Sequence, residues 1–377
     1  MITLFITLMP NFSEIDQTMK EAVEEGVFPG AVLLVGVGEE IVLHQAYGQA
    51  ARLPQPRPMR LDTVFDLASL TKPLATTLAV MIQVARGRLH LDDPIENLGE
   101  SFSYPGKEKI TLRHLLVHTA GFPAWQPYYL ELEGLDGDRK AALRRMVRRE
   151  PLRHPPGSQT LYSDLGFIFL DWVLEEVSGQ DLHTWTRDRV YQPLGLNEMG
   201  FRPLTAVGPE NPEQYAATED CPWRKKIVCG EAHDENTYAV GGVSGQAGLF
   251  GTAPEIFRLL RELKRAHDNP AASRLFDGKL VRTFWARPET PEDNPRALGY
   301  DIPSKTDSSA GRFISPKSIG HLGFTGTSFW FDLERDLMVI LLTNRVHPTR
   351  TNEKIKRFRP LIHDLIFSGK RIDPRSG

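Results

Sequence analysis

Apolar residues along this chain recur at every fourth position in one stretch and gather into strand-like runs in others. Leu70, Leu74, Leu78 and Ile82 recur at every fourth position. That spacing predicts a helix with one apolar stripe. Pro73 suits its first turn, and Gly87 stands where it would stop. A second apolar helix is expected from Leu165 to Val177, closed by Gly179. Asn11 to Glu25 reads as a helix capped near Asn11 or Ser13, and Gly30 then opens two strand-like runs, Ala31–Gly36 and Ile41–Tyr47. Pro54, Pro56 and Pro58 make Ala51–Arg60 a loop. From Leu70 to about residue 285 the pattern is mostly helical with proline-rich breaks, and a further breaker cluster runs from Arg287 to Pro303. The remainder reads strand (His321–Phe331), strand (Leu337–Asn344), helix (Asn352–Phe367). Strands at both ends with helices between predict an α+β fold. One antiparallel sheet, assembled from residues 1–68 and 290–377, would carry a mostly helical insertion over 69–289.

Composition narrows the class. The chain has 377 residues, with 41% hydrophobic and 25% charged, as in an ordinary soluble globular protein. A net charge of −3 argues against a polyanionic partner, so no nucleic acid is expected. The segment Asp138–Arg153 sets Arg139, Lys140, Arg144, Arg145, Arg148, Arg149 and Arg153 against an apolar stripe of Ala142, Leu143, Met146 and Val147. We read it as an amphipathic surface helix with a solvated basic face. No apolar stretch approaches the roughly 20 residues of a membrane span. Met1–Met9 is apolar but short, lacks a basic flank and is ended by Pro10. The expectation is a packing segment rather than a signal peptide, and a cytoplasmic location. Cys221 and Cys229 make no disulfide framework and are expected as reduced thiols.

The candidate chemistry lies in Ser69-Leu70-Thr71-Lys72. Residues three apart on a helix are neighbours, so the ammonium group of Lys72 would reach the Ser69 hydroxyl. A serine attacks a carbonyl only if a base takes its proton. Lysine can serve only when burial or a nearby cation lowers its pKa, and the apolar helix promises burial. The helix N-terminus would favour a developing oxyanion. His114 and His118 stand four apart on an expected helix, but the glutamate of a zinc-protease H-E-x-x-H motif is missing. Glu231, His233, Asp234 and Glu235 form a polar cluster expected in a solvated loop. No G-x-S-x-G occurs, so the α/β-hydrolase elbow is absent.

Two further segments follow in order, Tyr162-Ser163-Asp164 and His321-Leu322-Gly323. S-x-x-K, then Y-x-N or a relative, then K-T-G or H-x-G is the motif order of penicillin-recognising serine hydrolases. The chain thus resembles the family of class C β-lactamases, penicillin-binding proteins and carboxylesterases. Phe65–Lys72 looks like that family's nucleophile segment, and Ile110–Gly121 like its "H-T-S-G" segment. Gly230–Asn236 and Leu342–Pro348 resemble stretches of a subgroup related to cell-wall peptidases and muropeptide amidases, and the resemblance implies that the Glu231–Glu235 loop lies near the active-site groove as a candidate for substrate contact.

The resemblance implies a β-lactamase/transpeptidase-like fold, with the site in the groove between sheet and helical part. It implies Ser69 as nucleophile, with Lys72 and Tyr162 managing the protons. Asp164 stands where the family often has asparagine. An ionised carboxylate cannot donate to a substrate carbonyl, so Asp164 is read as the N-cap of the next helix, as a partner for Lys72, or as both. His321 takes the place of the K-T-G lysine on the carboxylate-facing side of the groove. Gly323 belongs to the same motif, although Phe324-Thr325-Gly326 also preserves T-G; with His321-Leu322-Gly323 as the motif, the N–H of Phe324 would join that of Ser69 in the oxyanion hole. No metal or organic cofactor is implied. The implied substrate is a small ester, amide or peptide, and the activity that of an esterase, D-amino-acid peptidase or muropeptide amidase. The alternatives are a β-lactamase or D-alanyl-D-alanine carboxypeptidase, and a non-catalytic acyl sensor.

Overall fold

The two ends of the chain meet side by side in one sheet. The computed structural model describes residues 11–205, 208–209, 211–288 and 294–369. The apolar stretch Met1–Met9 lies outside them. The strands are β1 (Gly30–Val37), β2 (Glu40–Ala51), β3 (Arg57–Pro58), β4 (Phe65–Asp66), β5 (Gly200–Phe201), β6 (Asp220–Cys221), β7 (Lys226–Ile227), β8 (Leu249–Gly251), β9 (Ser318–Leu322), β10 (Ser328–Asp332) and β11 (Leu337–Thr343). The helices are α1 (Phe12–Glu24), α2 (Thr77–Ala85), α3 (Leu112–Leu116), α4 (Tyr128–Leu132), α5 (Arg139–Arg149), α6 (Asp164–Ser178), α7 (Leu182–Thr186), α8 (Glu235–Ala239), α9 (Ala253–Asp268), α10 (Gly278–Trp285) and α11 (Ile355–Ser368).

The large sheet runs β3-β2-β1-β11-β10-β9. Its β1–β11 seam joins the two ends, with Leu33 opposite Leu341 and Leu34 opposite Ile340. Alternation along β1 feeds two cores, because side chains of a strand point to opposite faces in turn. Ala31, Leu33 and Val35 pack with Ile15, Met19, Phe358 and Ile362 of α1 and α11. Val32 and Leu34 join the larger core that continues into the helical part.

Several expectations change. His321–Phe331 is not one strand: Gly323–Thr327 turns the chain between β9 and β10, and the two strands pair with each other. α9 and α10 fall inside 69–289, yet α9 packs on β1 and β11, so the sheet's second face is covered from within the insertion. The helix after Ser69 has no stripe, since Lys72 to Gln83 are buried all round. The basic face of α5 is partly committed: Lys140 pairs with Asp171 and Glu175 of α6, and Arg144 with Glu175. Both cysteines are free thiols. Among the described residues no helix is long and apolar enough to cross a membrane.

His363, wholly buried on α11, hydrogen-bonds the Ser309 carbonyl through Nδ1 at 2.8 Å. Burial pushes its imidazole down from 6.5 to about 4. Between those values the unfolded chain binds a proton that the native chain does not, so stability falls as pH drops from 6.5 towards 4. We expect about 3 kcal/mol to be lost over that window through this group. Urea unfolding from pH 7 to 4.5 should show a shallower decline in His363→Gln; an unchanged slope would contradict the assignment.

Candidate active site

The segment that presents Ser69 is anchored from behind. Asp66 on β4 is buried, accepting the N–H of Ala68 at 2.8 Å and that of His233 at 2.6 Å. Ala68 is held at a φ of 47°, a left-handed conformation costly for a residue with a Cβ. A short 3₁₀ turn over Ala68–Leu70 and one wide π turn over Lys72–Thr76 lead into α2. Such irregular turns re-aim side chains that a regular helix would stack. Lys72 Nζ lies 3.2 Å from Ser69 Oγ, 2.6 Å from Asp164 Oδ1 and 3.0 Å from the Gln246 carbonyl.

Lys72 is fully buried, as its apolar surroundings predict. The expected fall in its pKa does not follow. Burial acts downward, but the charge of Asp164 and the phenol of Tyr162 outweigh it, so the ammonium form is favoured. The carboxylate responsible comes from another element. Asp164 is the first residue of α6 rather than its N-cap, a position that Ser163 takes. A carboxylate there faces the positive end of the helix. Its side chain bonds Lys72, which selects one of the two roles expected for it.

Tyr162 sits beside this pair. Lys72 Nζ lies 4.9 Å from its ring centroid, and the Arg296 guanidinium lies at 4.9 Å too. His118 packs against it with ring centroids 4.5 Å apart. His114 and His118 do not share a helix. α3 ends at Leu116, and His118 follows it at a φ of 59°. His114 closes a capping box with Thr111, whereas His118 Nδ1 accepts the Ser163 N–H at 3.0 Å. These two histidines position backbone and do not chelate together.

His321 is only 2% exposed and packs behind Tyr162, 6.1 Å between centroids, so it does not line the cavity as the motif comparison implied. Burial, then the charges of Lys72 and Arg296, hold its imidazole well below the usual range, and it is neutral. Gly323 is needed for close approach. A Cβ there would lie 2.1 Å from Thr327 Oγ1 and 2.7 Å from the Leu67 carbonyl. Thr325 and Thr327 donate from this turn to the carbonyls of Asp66 and Leu67, at 2.8 and 3.0 Å. Arg345 grips the Phe324 carbonyl at 2.6 and 2.9 Å. The Phe324 ring projects outward, 49% exposed.

Ser69, Tyr162, Asp164 and Phe324 line a cavity of about 370 Å³ with Trp125, Asp234, Glu235, Gln246 and Arg350. A larger depression of about 750 Å³ between the ends of α1 and α11 holds no candidate nucleophile. The Glu231–Glu235 segment is no solvated loop. His233 and Glu235 are buried, His233 faces Glu219 at 3.1 Å, and Glu235 pairs with Arg350 at 2.5 Å. Among the described residues no three histidine, cysteine or acidic side chains are grouped to hold a metal ion. Trp125, Gln246, Arg296 and Arg350 carry no local motif, and sequence reasoning passed over them as site residues.

A sequence profile described as Beta-lactamase matches residues 15–363. A protein of Escherichia coli K12, provisionally named a D-alanyl-D-alanine carboxypeptidase, is 31% identical over 364 residues, spanning 89% of this chain and 82% of its own. The chain belongs to the β-lactamase family. Two solved structures extend the likeness in fold. EstCE1, described as a hydrolase with promiscuous acyltransferase activity, gives a TM-score of 0.73 at 24% identity over 94% of this chain and 98% of its own. The octameric penicillin-binding protein homologue of Pyrococcus abyssi gives 0.70 at 19% identity over 95% and 79%. The expected β-lactamase/transpeptidase-like fold is the one found. The β-lactamase family is generally one of serine hydrolases.

In this β-lactamase-family chain the Gly323 turn seats the β9–β10 hairpin on the segment that carries Ser69. Gly323→Ala should destabilise the fold by about 1–3 kcal/mol, the usual range for overpacking. Thermal unfolding measures it, and a wild-type melting temperature would show that the turn yields without cost.

Proposed function

We propose that this chain hydrolyses small esters or amides through an acyl-enzyme on Ser69. The observation that carries the reading is the Lys72 ammonium, 3.2 Å from Ser69 Oγ and 2.6 Å from Asp164, at the wall of an open cavity. Because Asp164 keeps Lys72 charged, Tyr162 is the better candidate for the base. As a phenolate beside that ammonium it takes the Ser69 proton while the oxygen attacks the carbonyl. It then returns the proton to the leaving group. The backbone N–H groups of Ser69 and Phe324 are the proposed donors to the oxyanion. Water completes the cycle by attacking the acyl-enzyme.

Esterase or amidase activity is preferred over carboxypeptidase activity. The second reading draws support from the 31% identity to the Escherichia coli relative. A terminal carboxylate would need a cation in the cavity, however. His321 is neutral and buried, and Arg350 is already paired with Glu219 and Glu235.

A fluorophosphonate should label Ser69, and Ser69→Ala should abolish labelling and turnover of 4-nitrophenyl butanoate. Labelling at another residue would overturn the reading. Lys72→Ala and Tyr162→Phe should each lower kcat by on the order of 10². Their double variant should lose far less than the product, because the two act on one proton transfer. Strictly multiplicative losses would show that they work independently.

A further inference from the structure

The cavity beside Ser69 holds more acid than base. Asp164, Asp234 and Glu235 line it, against one arginine, Arg350, and one histidine, His233, which faces Glu219 at 3.1 Å. Two of the acids are matched: Asp164 by Lys72 at 2.6 Å, and Glu235 by Arg350 at 2.5 Å. Arg350 is shared further with Glu219. Asp234 is different. Its Oδ1 accepts the Thr237 N–H at 2.7 Å, the Thr237 hydroxyl at 2.7 Å and the Gln246 amide at 3.1 Å. All three donors are neutral. Arg224 reaches only the Asp234 backbone carbonyl, at 3.4 Å. Among the described residues Oδ2 has no hydrogen bond, and no lysine or arginine pairs with this carboxylate.

The charge is held firmly in place. Asp234 is the N-cap of α8, so binding a ligand costs it no reordering. It is felt across the cavity: burial first, and Asp234 after it, push the carboxyls of Asp66 and Asp164 up. Trp125, 42% exposed, lines the same cavity. An aromatic face attracts an organic cation through its quadrupole. The Phe324 ring is less available, since Arg345 and Arg350 already lie over it.

We infer that the substrate of this cavity carries a positively charged amine, and that Asp234 is the specificity-determining residue that receives it. The inference deepens the hydrolase reading and rests on it. A matched acid attracts little, but an unmatched one in a partly enclosed cavity favours a cation and repels a carboxylate.

Benzylammonium, benzyl alcohol and benzoate share a ring and differ in charge. Each is tested as a competitor of 4-nitrophenyl butanoate turnover and, without turnover, by ligand-observed NMR. Benzylammonium should compete at roughly tenfold lower concentration than benzyl alcohol, with benzoate weakest. In Asp234→Asn the advantage of the cation should vanish while benzyl alcohol changes by less than about twofold. Asparagine is also a good N-cap, so the helix keeps its acceptor. Should that variant fail to fold, raising salt on the wild type gives the same test. The cation's advantage should shrink while benzyl alcohol stays level. Equal competition by cation and alcohol, a salt-independent advantage, or a uniform shift of all three probes in Asp234→Asn overturns the inference. Turnover surviving in Ser69→Ala overturns the hydrolase reading instead, and the NMR order of the three probes still judges the charge preference alone.

Discussion

The buried contact between Lys72 and Asp164 organises this protein. An ammonium group with no exposure to water is costly on its own. Here it is met by a carboxylate, a backbone carbonyl and the Ser69 hydroxyl. Those partners come from α6, from the loop before β8 and from the turn before α2. One charge therefore ties three elements together at one point. Removing Asp164 would leave the Lys72 ammonium buried and unmatched, which costs far more than the pair contributes. The same contact decides the protonation of the site, since it keeps Lys72 charged where burial alone would neutralise it.

Around this centre the sheet and the helical part are joined by backbone acceptors rather than by apolar contact alone. The turn after β9 donates from two threonines to the carbonyls that precede Ser69. Arg345 and Arg359 hold the turn from the far side through the carbonyls of Gly323, Phe324 and Thr327. Bonds of this kind fix the turn against the segment that carries Ser69. Preorganised donors are worth most when they need not move during reaction.

The charge pattern separates this chain from what a shared motif order would suggest. At the lysine position of K-T-G stands a neutral imidazole, packed behind Tyr162. Besides Lys72, the cation beside the tyrosine is Arg296, supplied from outside the three motifs and paired with Asp301. Motif order thus tracks the fold more closely than it tracks the charges around Tyr162.

Local pattern determined most of the architecture. Continuous apolar runs at both ends and fourfold spacing between them specify strands and helices because each element must bury one face or more. The order S-x-x-K, Y-x-D, H-x-G pointed to Ser69, Lys72 and Tyr162, and the structure brings these three together. The break of His321–Phe331 into a hairpin was harder to see, since its turn is built from Gly323, Gly326 and threonines inside an otherwise strand-like run. Other features could not be read from sequence at all. Which role Asp164 takes depends on a lysine 92 residues away. The polar run Glu231–Glu235 looks solvated until Glu219 and Arg350 come over it from distant segments. That Asp234 stays unmatched beside them is likewise a property of the assembled cavity. Charges act through space, with a strength set by burial and distance, and only the folded chain brings these groups together.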